Sequence, residues 1–295
     1  MPSNFSRRNF LKTSLLASAG AALSSHRPFG SNPVPQHIGV QLWSVREDMK
    51  KDPAGTLAAV AKMGYREVEP FGYDSGTLFG LSYQDFGKLL KDNGLTMPST
   101  HAAVSLKNYD ETKGDITDAT KKWVDAAVVL GMKYIINPYI GDAERPEIAK
   151  LVKAYQAMGR YCKKAGIKFG YHNHDFEFTK TGPDGRLLID WLLNEVDPAL
   201  MTMEMDIYWV HHAKNNPLDW FRLYPGRWEL CHAKDQADTE KGESVEVGDG
   251  VIDFKTIFQH SQQAGLQYYV IELEAYKTTP IAGIDKARKG LLTMF

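Results

Sequence analysis

Cysteine and long apolar runs are both scarce in this sequence. Its 295 residues include only two cysteines, Cys162 and Cys231. Two cysteines make neither a disulfide framework nor the thiolate cluster of a structural zinc site. Cys162 falls in a helical pattern and Cys231 in an apolar strand pattern, so we expect two separate buried thiols. No apolar stretch reaches the roughly 18 residues of a transmembrane helix, so we expect no membrane span in the mature chain.

An excess of one charge is also missing. The formal net charge is -1. No basic run is dense enough to hold a membrane surface or to gain affinity for nucleic acid by releasing counterions. We therefore expect a small-molecule partner and no nucleic acid.

The N-terminus carries a twin-arginine pattern. Residues 6–12 read Ser-Arg-Arg-Asn-Phe-Leu-Lys, and a modestly apolar stretch follows from Thr13 to Leu23. This order is typical of signals for the twin-arginine (Tat) export machinery. We predict a signal peptide and leader over residues 1–30 and a periplasmic or otherwise exported protein. Export in the folded state suits an enzyme that takes up a metal before it leaves the cytoplasm.

Strand and helix patterns alternate eight times after residue 36. Helix-ending glycines stand just before predicted strands at positions 64, 94, 131, 166 and 265, where a left-handed residue is needed. The alternation predicts an α/β fold, a (β/α)8 TIM barrel, as a single domain over residues 36–295. The competing doubly wound sheet would need a Gly-x-Gly-x-x-Gly turn after the first strand, and Val40–Arg46 has none.

Polar side chains end seven of the eight predicted strands, at the edge where a TIM barrel carries its active site. They are Glu69, His101, Asn137, His172 with His174, Asp206, His232, and Glu272 with Glu274. Nitrogen and oxygen donors of this kind hold Mn²⁺, Mg²⁺, Co²⁺ or Zn²⁺, so we expect one divalent metal ion. Burying Asp206 without a cation would be costly, which favours a ligand. His232 is either a ligand or a core histidine bonded to backbone.

Two pairs of neighbours leave the ligand assignment open. In the stretch Phe169–Phe178, strand alternation puts His172 and His174 on one face, and either can be the ligand. Glu272 and Glu274 likewise share a face of the last predicted strand. We expect Glu272 to be the ligand and Glu274 to contact substrate or support the site.

Four further residues are candidates for substrate binding. Glu69 and His101 either contact substrate or orient loops. Lys234 either neutralises a developing oxyanion or pairs with the adjacent Asp235. Trp43 lies just past a strand end, where its ring can stack on a sugar or pack in the barrel rim.

Five stretches resemble the sugar phosphate isomerase/epimerase family, part of the xylose isomerase-like barrel superfamily. They span residues 171–178, 205–210, 231–235, 247–254 and 270–272. The resemblance covers nearly all of the chain after about residue 36. It implies a single divalent ion held by Glu, Asp, His and Glu at four strand ends. Carried over, these positions are His172, Asp206, His232 and Glu272, with His172 replacing the family glutamate.

The resemblance also implies proton abstraction next to a sugar carbonyl, with the enediolate charge developing against the metal. Reprotonation gives isomerisation or epimerisation, whereas loss of a β-substituent gives a lyase. The missing glutamate disfavours two-carboxylate epimerisation and favours one base, which is His172, His174 or Glu272. Export argues against phosphorylated intracellular substrates. We therefore favour a carbohydrate lyase acting on a 3-keto-glycoside.

Two other functions remain open. An AP-endonuclease-like metallo-phosphodiesterase shares the barrel and a histidine at the third strand end, here His101. It requires three metals and a second Asp-x-His pair, and the loop Gln236–Gly250 contains no histidine. A non-catalytic exported sugar-binding protein would bind no tight metal and would tolerate Asp206→Asn. A homo-oligomer is compatible with every reading.

Overall fold

The structure, a computed structural model, describes residues 35, 37–73 and 76–295. The predicted signal peptide and leader, residues 1–30, lie outside the described residues. None of the helices in the described part of the chain combines the length and hydrophobicity that crossing a bilayer requires.

Eight parallel strands form the central barrel. In chain order they are β1 Ile38–Gln41, β2 Glu67–Glu69, β3 Ser99–His101, β4 Tyr134–Asn137, β5 Lys168–His172, β6 Met201–Asp206, β7 Trp228–Ala233 and β8 Tyr268–Ile271. Their order in the sheet is β2-β1-β8-β7-β6-β5-β4-β3. Backbone bonds between the segments of β2 and β3, such as Val68 N to Thr96 O at 2.9 Å, join the two ends. The predicted (β/α)8 architecture is confirmed.

Helices follow the strands and cover the outside of the barrel. They are α1 Arg46–Lys51, α2 Pro53–Lys62, α3 Tyr83–Asp92, α4 Asp118–Val129, α5 Ile148–Ala165, α6 Leu188–Glu195, α7 Ile207–His212, α8 Pro217–Leu223, α9 Phe254–Gln259, α10 Ser261–Ala264 and α11 Pro280–Leu292. Gly166 (φ 84°) and Gly265 (φ 90°) end α5 and α10 in the left-handed conformation. Both lie just before a strand, as predicted.

Inward-facing side chains fill the barrel below its mouth. Tyr134, Ile136, Leu230 and Tyr268 form a small apolar cluster of their own. A Cβ added at Gly170 would lie 2.5 Å from Ile136 Cδ1, so only glycine leaves room for this packing. The apolar cluster is the floor on which the polar residues of the strand ends lie.

Two strands end earlier than the sequence predicts. β8 ends at Ile271 rather than Glu274, because Leu273 N turns away to donate to Ser44 Oγ at 2.9 Å. The prediction that Glu272 and Glu274 share a strand face is therefore wrong. β5 likewise ends before His174, whose N–H donates to a side chain of the following turn.

Candidate metal centre and active site

The four side chains predicted as metal ligands meet at the barrel mouth. His172, Asp206, His232 and Glu272 each offer one donor atom, and these atoms all lie within 4.8 Å of one another. His232 Nδ1 is 3.2 Å from Glu272 Oε2, and His172 Nε2 is 3.9 Å from Asp206 Oδ2. Asp206 Oδ2 is buried and lies 3.0 Å from the ammonium of Lys234. Two imidazole nitrogens and two carboxylate oxygens suit a divalent cation, so the residues present fit a metal.

The register of the strands brings these residues together. Asp206 lies beside His232 across the β6–β7 pair, and Glu272 follows the last residue of β8. Asp206 Oδ1 also accepts from Trp209 N at 3.0 Å and so caps α7. The cap leaves the other oxygen, Oδ2, directed at the cluster.

Lys234 is buried against three carboxylates. Its Nζ lies 3.0 Å from Asp206 Oδ2, 3.0 Å from Glu272 Oε2 and 2.8 Å from Glu274 Oε1. Burial alone would lower the pKa of Lys234, but the three carboxylates outweigh burial and raise it. The ammonium thus stays charged beside two of the proposed ligands.

The alternative partner of Lys234, Asp235, is engaged elsewhere. Asp235 accepts from four backbone N–H groups, those of Gln236, Gly248, Gly250 and Ile252. The buried carboxylate therefore organises the glycine-containing loop after β7. This leaves Lys234 to the carboxylates of the barrel mouth.

A second polar layer lies one step deeper in the barrel. It is built around Glu204, which sits two residues before Asp206 on the same face of β6. His101 Nε2 is 2.8 Å from Glu204 Oε2 and 3.1 Å from Glu69 Oε1, and Gln41 Nε2 donates to Glu69 Oε1 at 2.8 Å. Glu69 and His101, the candidates for substrate contact or loop orientation, are both buried in this layer.

Glu204 was not predicted, although the sequence carried a signal for it. Strand alternation puts Glu204 and Asp206 on one face of a run that otherwise consists of methionines and a threonine. His101, His172, Glu204 and His232 form a second group of donor atoms within 4.8 Å. The two groups share His172 and His232.

In both layers, neighbouring carboxylates and imidazoles shift one another's pKa values. Burial lowers the pKa of His232, yet Glu204, Glu272 and Glu69 raise it well above its ordinary value. Burial also lowers the pKa of His101, but Glu69 and Glu204 raise it to about 9. Burial raises the pKa of Glu69 and Glu272, but the neighbouring cations lower both well below the ordinary value.

His172 and His174 behave in the opposite way. Burial, followed by the charges of His232 and His101, lowers the pKa of His172 well below its usual value. Burial and Lys234 lower the pKa of His174 to about 3. Both rings are therefore neutral at pH 7. His174 Nδ1 is buried without a hydrogen-bond partner in the described part of the chain, and its ring centroid is 5.1 Å from that of His172.

Aromatic rings surround the mouth on both sides. Trp43 is 41% exposed and packs edge-on against Phe71, with ring centroids 4.9 Å apart. Tyr139, which the sequence did not indicate, is 44% exposed and packs edge-on against His174 at 5.4 Å. Asn137, by contrast, does not face the site. Its Oδ1 accepts from Val104 N and its Nδ2 donates to the Tyr155 hydroxyl of α5, so it holds loops in place.

The chain matches two sequence families. The model of the family described as Xylose isomerase-like TIM barrel matches residues 57–294. The model of the twin-arginine translocation pathway signal sequence matches residues 4–24. The N-terminus therefore directs the chain to export through the twin-arginine pathway.

Two curated relatives are about a quarter identical to this chain over the aligned residues. An inosose dehydratase of Lacticaseibacillus casei is 27% identical over 225 residues, covering 64% of this chain and 73% of the relative. One of Geobacillus thermodenitrificans is 24% identical over 238 residues, covering 69% and 77%.

Solved structures share the fold. A sugar phosphate isomerase/epimerase from Parabacteroides distasonis superposes with a TM-score of 0.75 at 27% identity, covering 94% of this chain and 98% of that one. The IolI protein, solved with a zinc atom, has a TM-score of 0.66 at 18% identity, covering 88% and 97%. The IolI likeness shows the barrel alone.

Proposed function

The chain belongs to the xylose isomerase-like TIM barrel family and is an exported enzyme acting on sugars, and we propose that it is a divalent-metal-dependent lyase. In this proposal it removes the proton next to the carbonyl of a keto-sugar and expels the β-substituent. A 3-keto-glycoside is the favoured substrate. Inosose dehydratases among the relatives support elimination, since a dehydratase removes water.

The observation that carries this proposal is the asymmetry of the mouth. His174 is neutral and has a nitrogen free of described partners, whereas Glu272 Oε2 already contacts His232 and Lys234. Epimerisation by two opposed bases needs a free base on each face, whereas elimination needs only one.

In the proposed mechanism His174 takes the proton from the carbon next to the carbonyl. Its lowered pKa keeps it neutral before reaction, and the negative charge that develops on the substrate raises that pKa as the proton moves. Lys234 provides a positive charge for the developing oxyanion. The bond from the β-carbon to the leaving oxygen then breaks and its electron pair stays with that oxygen. The proton that His174 took passes to the same oxygen, so the leaving group departs as a neutral alcohol and His174 is neutral again.

His172, Asp206, His232 and Glu272 are the residues proposed to hold the divalent cation. A bound Mn²⁺, Mg²⁺, Co²⁺ or Zn²⁺ supplies Lewis-acid stabilisation of the carbonyl oxygen. Trp43 and Tyr139 would stack on the sugar or aglycone, since both rings are partly exposed at the rim. Glu274 would hold Lys234 in place.

The test is incubation of the metal-loaded protein with p-nitrophenyl 3-keto-β-glucoside and detection of released p-nitrophenol. Asp206→Asn should abolish release, because asparagine keeps the α7 cap but loses the charge. Asp219→Asn, the same change on the exposed surface, is the control and should retain release. Absence of release from the wild-type protein would contradict the lyase assignment.

Isomerisation or epimerisation is the second candidate, favoured by the Parabacteroides distasonis structure. A deuterium wash-in assay over keto-sugars separates the two. Wash-in at one carbon without loss of a substituent would favour isomerisation, and wash-in with release favours the lyase.

Neither kind of relative is a phosphodiesterase, so the relatives support sugar chemistry over cleavage of nucleic acid. A homo-oligomer, and domain limits of 1–30 and 36–295, remain predictions.

A further inference from the structure

We propose that Trp209 is a specificity-determining residue whose indole N–H donates to the hydroxyl on the substrate carbon that loses its proton. The inference rests on the proposed lyase function and deepens it, because it narrows the class of keto-sugars that the site accepts. These substrates keep a hydroxyl on the carbon next to the carbonyl, and analogues without that hydroxyl are poor substrates.

The indole of Trp209 lacks a hydrogen-bond partner. Trp209 packs partly buried against the core, and its Nε1 is buried with no acceptor in the described part of the chain. By contrast, the indoles of Trp191 and Trp228 donate to Asp184 Oδ1 and Trp220 O. An indole nitrogen can only donate, and a buried N–H without a partner costs free energy. We therefore expect an acceptor from outside the chain.

The Trp209 ring lies beside the two groups that the proposed mechanism uses. Its centroid is 5.5 Å from the centroid of the His174 ring. Lys234 Nζ is 5.0 Å from the same indole centroid. Asp206 Oδ1 accepts from Trp209 N at 3.0 Å, which fixes the residue in the first turn of α7. The indole is therefore part of the wall that a substrate meets at the barrel mouth.

This position selects one oxygen of the substrate. In the proposed mechanism His174 takes the proton and Lys234 faces the carbonyl oxygen. The carbon that loses the proton is bonded to the carbonyl carbon, so it lies between these two groups. In a 3-keto-glycoside the leaving group is on C1, so this carbon is C2, and its one polar substituent is the 2-hydroxyl. Trp209, which borders both groups, is placed to donate to that hydroxyl oxygen.

A second nitrogen without a partner gives a rival account. His212 Nδ1 is also buried and has no hydrogen bond to any described residue. Its ring stands edge-on to that of Trp209, with centroids 5.5 Å apart. A water molecule held between the two nitrogens would satisfy the indole permanently. The N–H would then be indifferent to the substrate hydroxyl, and this difference can be measured.

The first experiment compares release of p-nitrophenol from p-nitrophenyl 3-keto-β-glucoside and from its 2-deoxy analogue. The ratio of the two kcat/KM values should fall by about 10–100-fold in Trp209→Phe, because a donor left unpaired is what rejects the deoxy substrate. The smaller ring acts on both substrates, and the different acidity of the substrates acts on both proteins. Both effects therefore cancel when the ratios are compared.

Trp191→Phe is the matched control for this comparison. It removes an indole N–H that donates to Asp184, away from the barrel mouth, so it should keep the wild-type ratio. An unchanged ratio in Trp209→Phe would overturn the inference and leave the lyase function intact. That result is expected if the indole donates to the carbonyl oxygen or to a trapped water.

The second experiment follows the indole ¹H–¹⁵N resonance of Trp209 in the zinc-loaded wild-type protein, assigned through the backbone of the same residue. The probe is p-nitrophenyl β-glucoside, which has the 2-hydroxyl but no carbonyl and so binds without reacting. It should move the resonance downfield, and p-nitrophenyl 2-deoxy-β-glucoside should not. No movement, or equal movement with both glucosides, would overturn the inference.

The spectrum requires neither turnover nor a substituted protein. If Trp209→Phe does not fold, the spectrum decides alone. If the wild-type protein releases no p-nitrophenol from either keto-glucoside, the lyase function falls. The response of the resonance to the 2-hydroxyl then still decides whether Trp209 binds that group.

Discussion

Glu177 should give the stability of this protein a specific pH dependence. Its carboxylate is fully buried beside the loop that carries His174. Tyr171 donates its hydroxyl to Oε1, and His174 N donates to Oε2 at 2.8 Å. Burial outweighs these bonds and raises the pKa of Glu177 from 4.5 to about 7.

A raised carboxyl pKa means that the folded state binds the proton more tightly than the unfolded state does. The stability from this group is complete below pH 4.5 and is lost as the pH rises through about 7. A carboxyl pKa raised from 4.5 to about 7 corresponds to about 3 kcal/mol of unfolding free energy. That loss should fall between pH 4 and pH 8.

Glu177→Gln should remove this pH dependence. The glutamine carbonyl can accept from His174 N, and its amide can donate to the Tyr171 hydroxyl, which rotates to accept. Urea unfolding of both proteins at pH 4 and pH 8 should show the variant gaining about 3 kcal/mol relative to wild type. Taking the difference cancels every other titrating group. Parallel curves for the two proteins would refute the reasoning.

Four further outcomes follow from the site and the core. Asp206→Asn should lower the turnover of the proposed lyase by about 100-fold or more and weaken divalent-cation binding in a chelator competition. Lys234→Met should lose turnover, because the developing oxyanion loses its positive partner, and should lower the unfolding free energy by about 3–5 kcal/mol, because the buried carboxylates of Asp206 and Glu272 lose their cation. Trp43→Ala should raise KM several-fold and change the unfolding free energy by less than about 1 kcal/mol, since the ring is half exposed. Cys162 and Cys231 are buried, and burial raises the pKa of Cys162 to about 12 and that of Cys231 well above its ordinary value, so both should resist iodoacetamide until the protein is unfolded.

Local pattern was enough to predict the barrel and much of its mouth. A helix that ends on a left-handed residue favours glycine there, as at Gly166 and Gly265, so these glycines mark helix ends without any tertiary information. Strand alternation then places Asp206 and His232 inward. Helix ends and strand alternation both depend on residues that are close together in the chain, so the sequence alone predicts them.

Long-range contacts decided what the sequence could not. β8 stops early because Leu273 bonds to Ser44, a residue 229 positions away. Lys234 turns to the mouth because Asp235 is engaged by the loop that follows it. Local pattern puts Glu204 on the same strand face as Asp206. Its contacts with the imidazoles of three other strands follow from the closed barrel and cannot be derived from local pattern.

The account depends on one divalent cation held by His172, Asp206, His232 and Glu272. Anomalous diffraction from crystals of the metal-loaded protein locates that cation most directly. We predict a single strong peak within coordination distance, about 2.0–2.3 Å, of one atom from each residue. A peak elsewhere on the molecule, or none at the barrel mouth, would contradict the account.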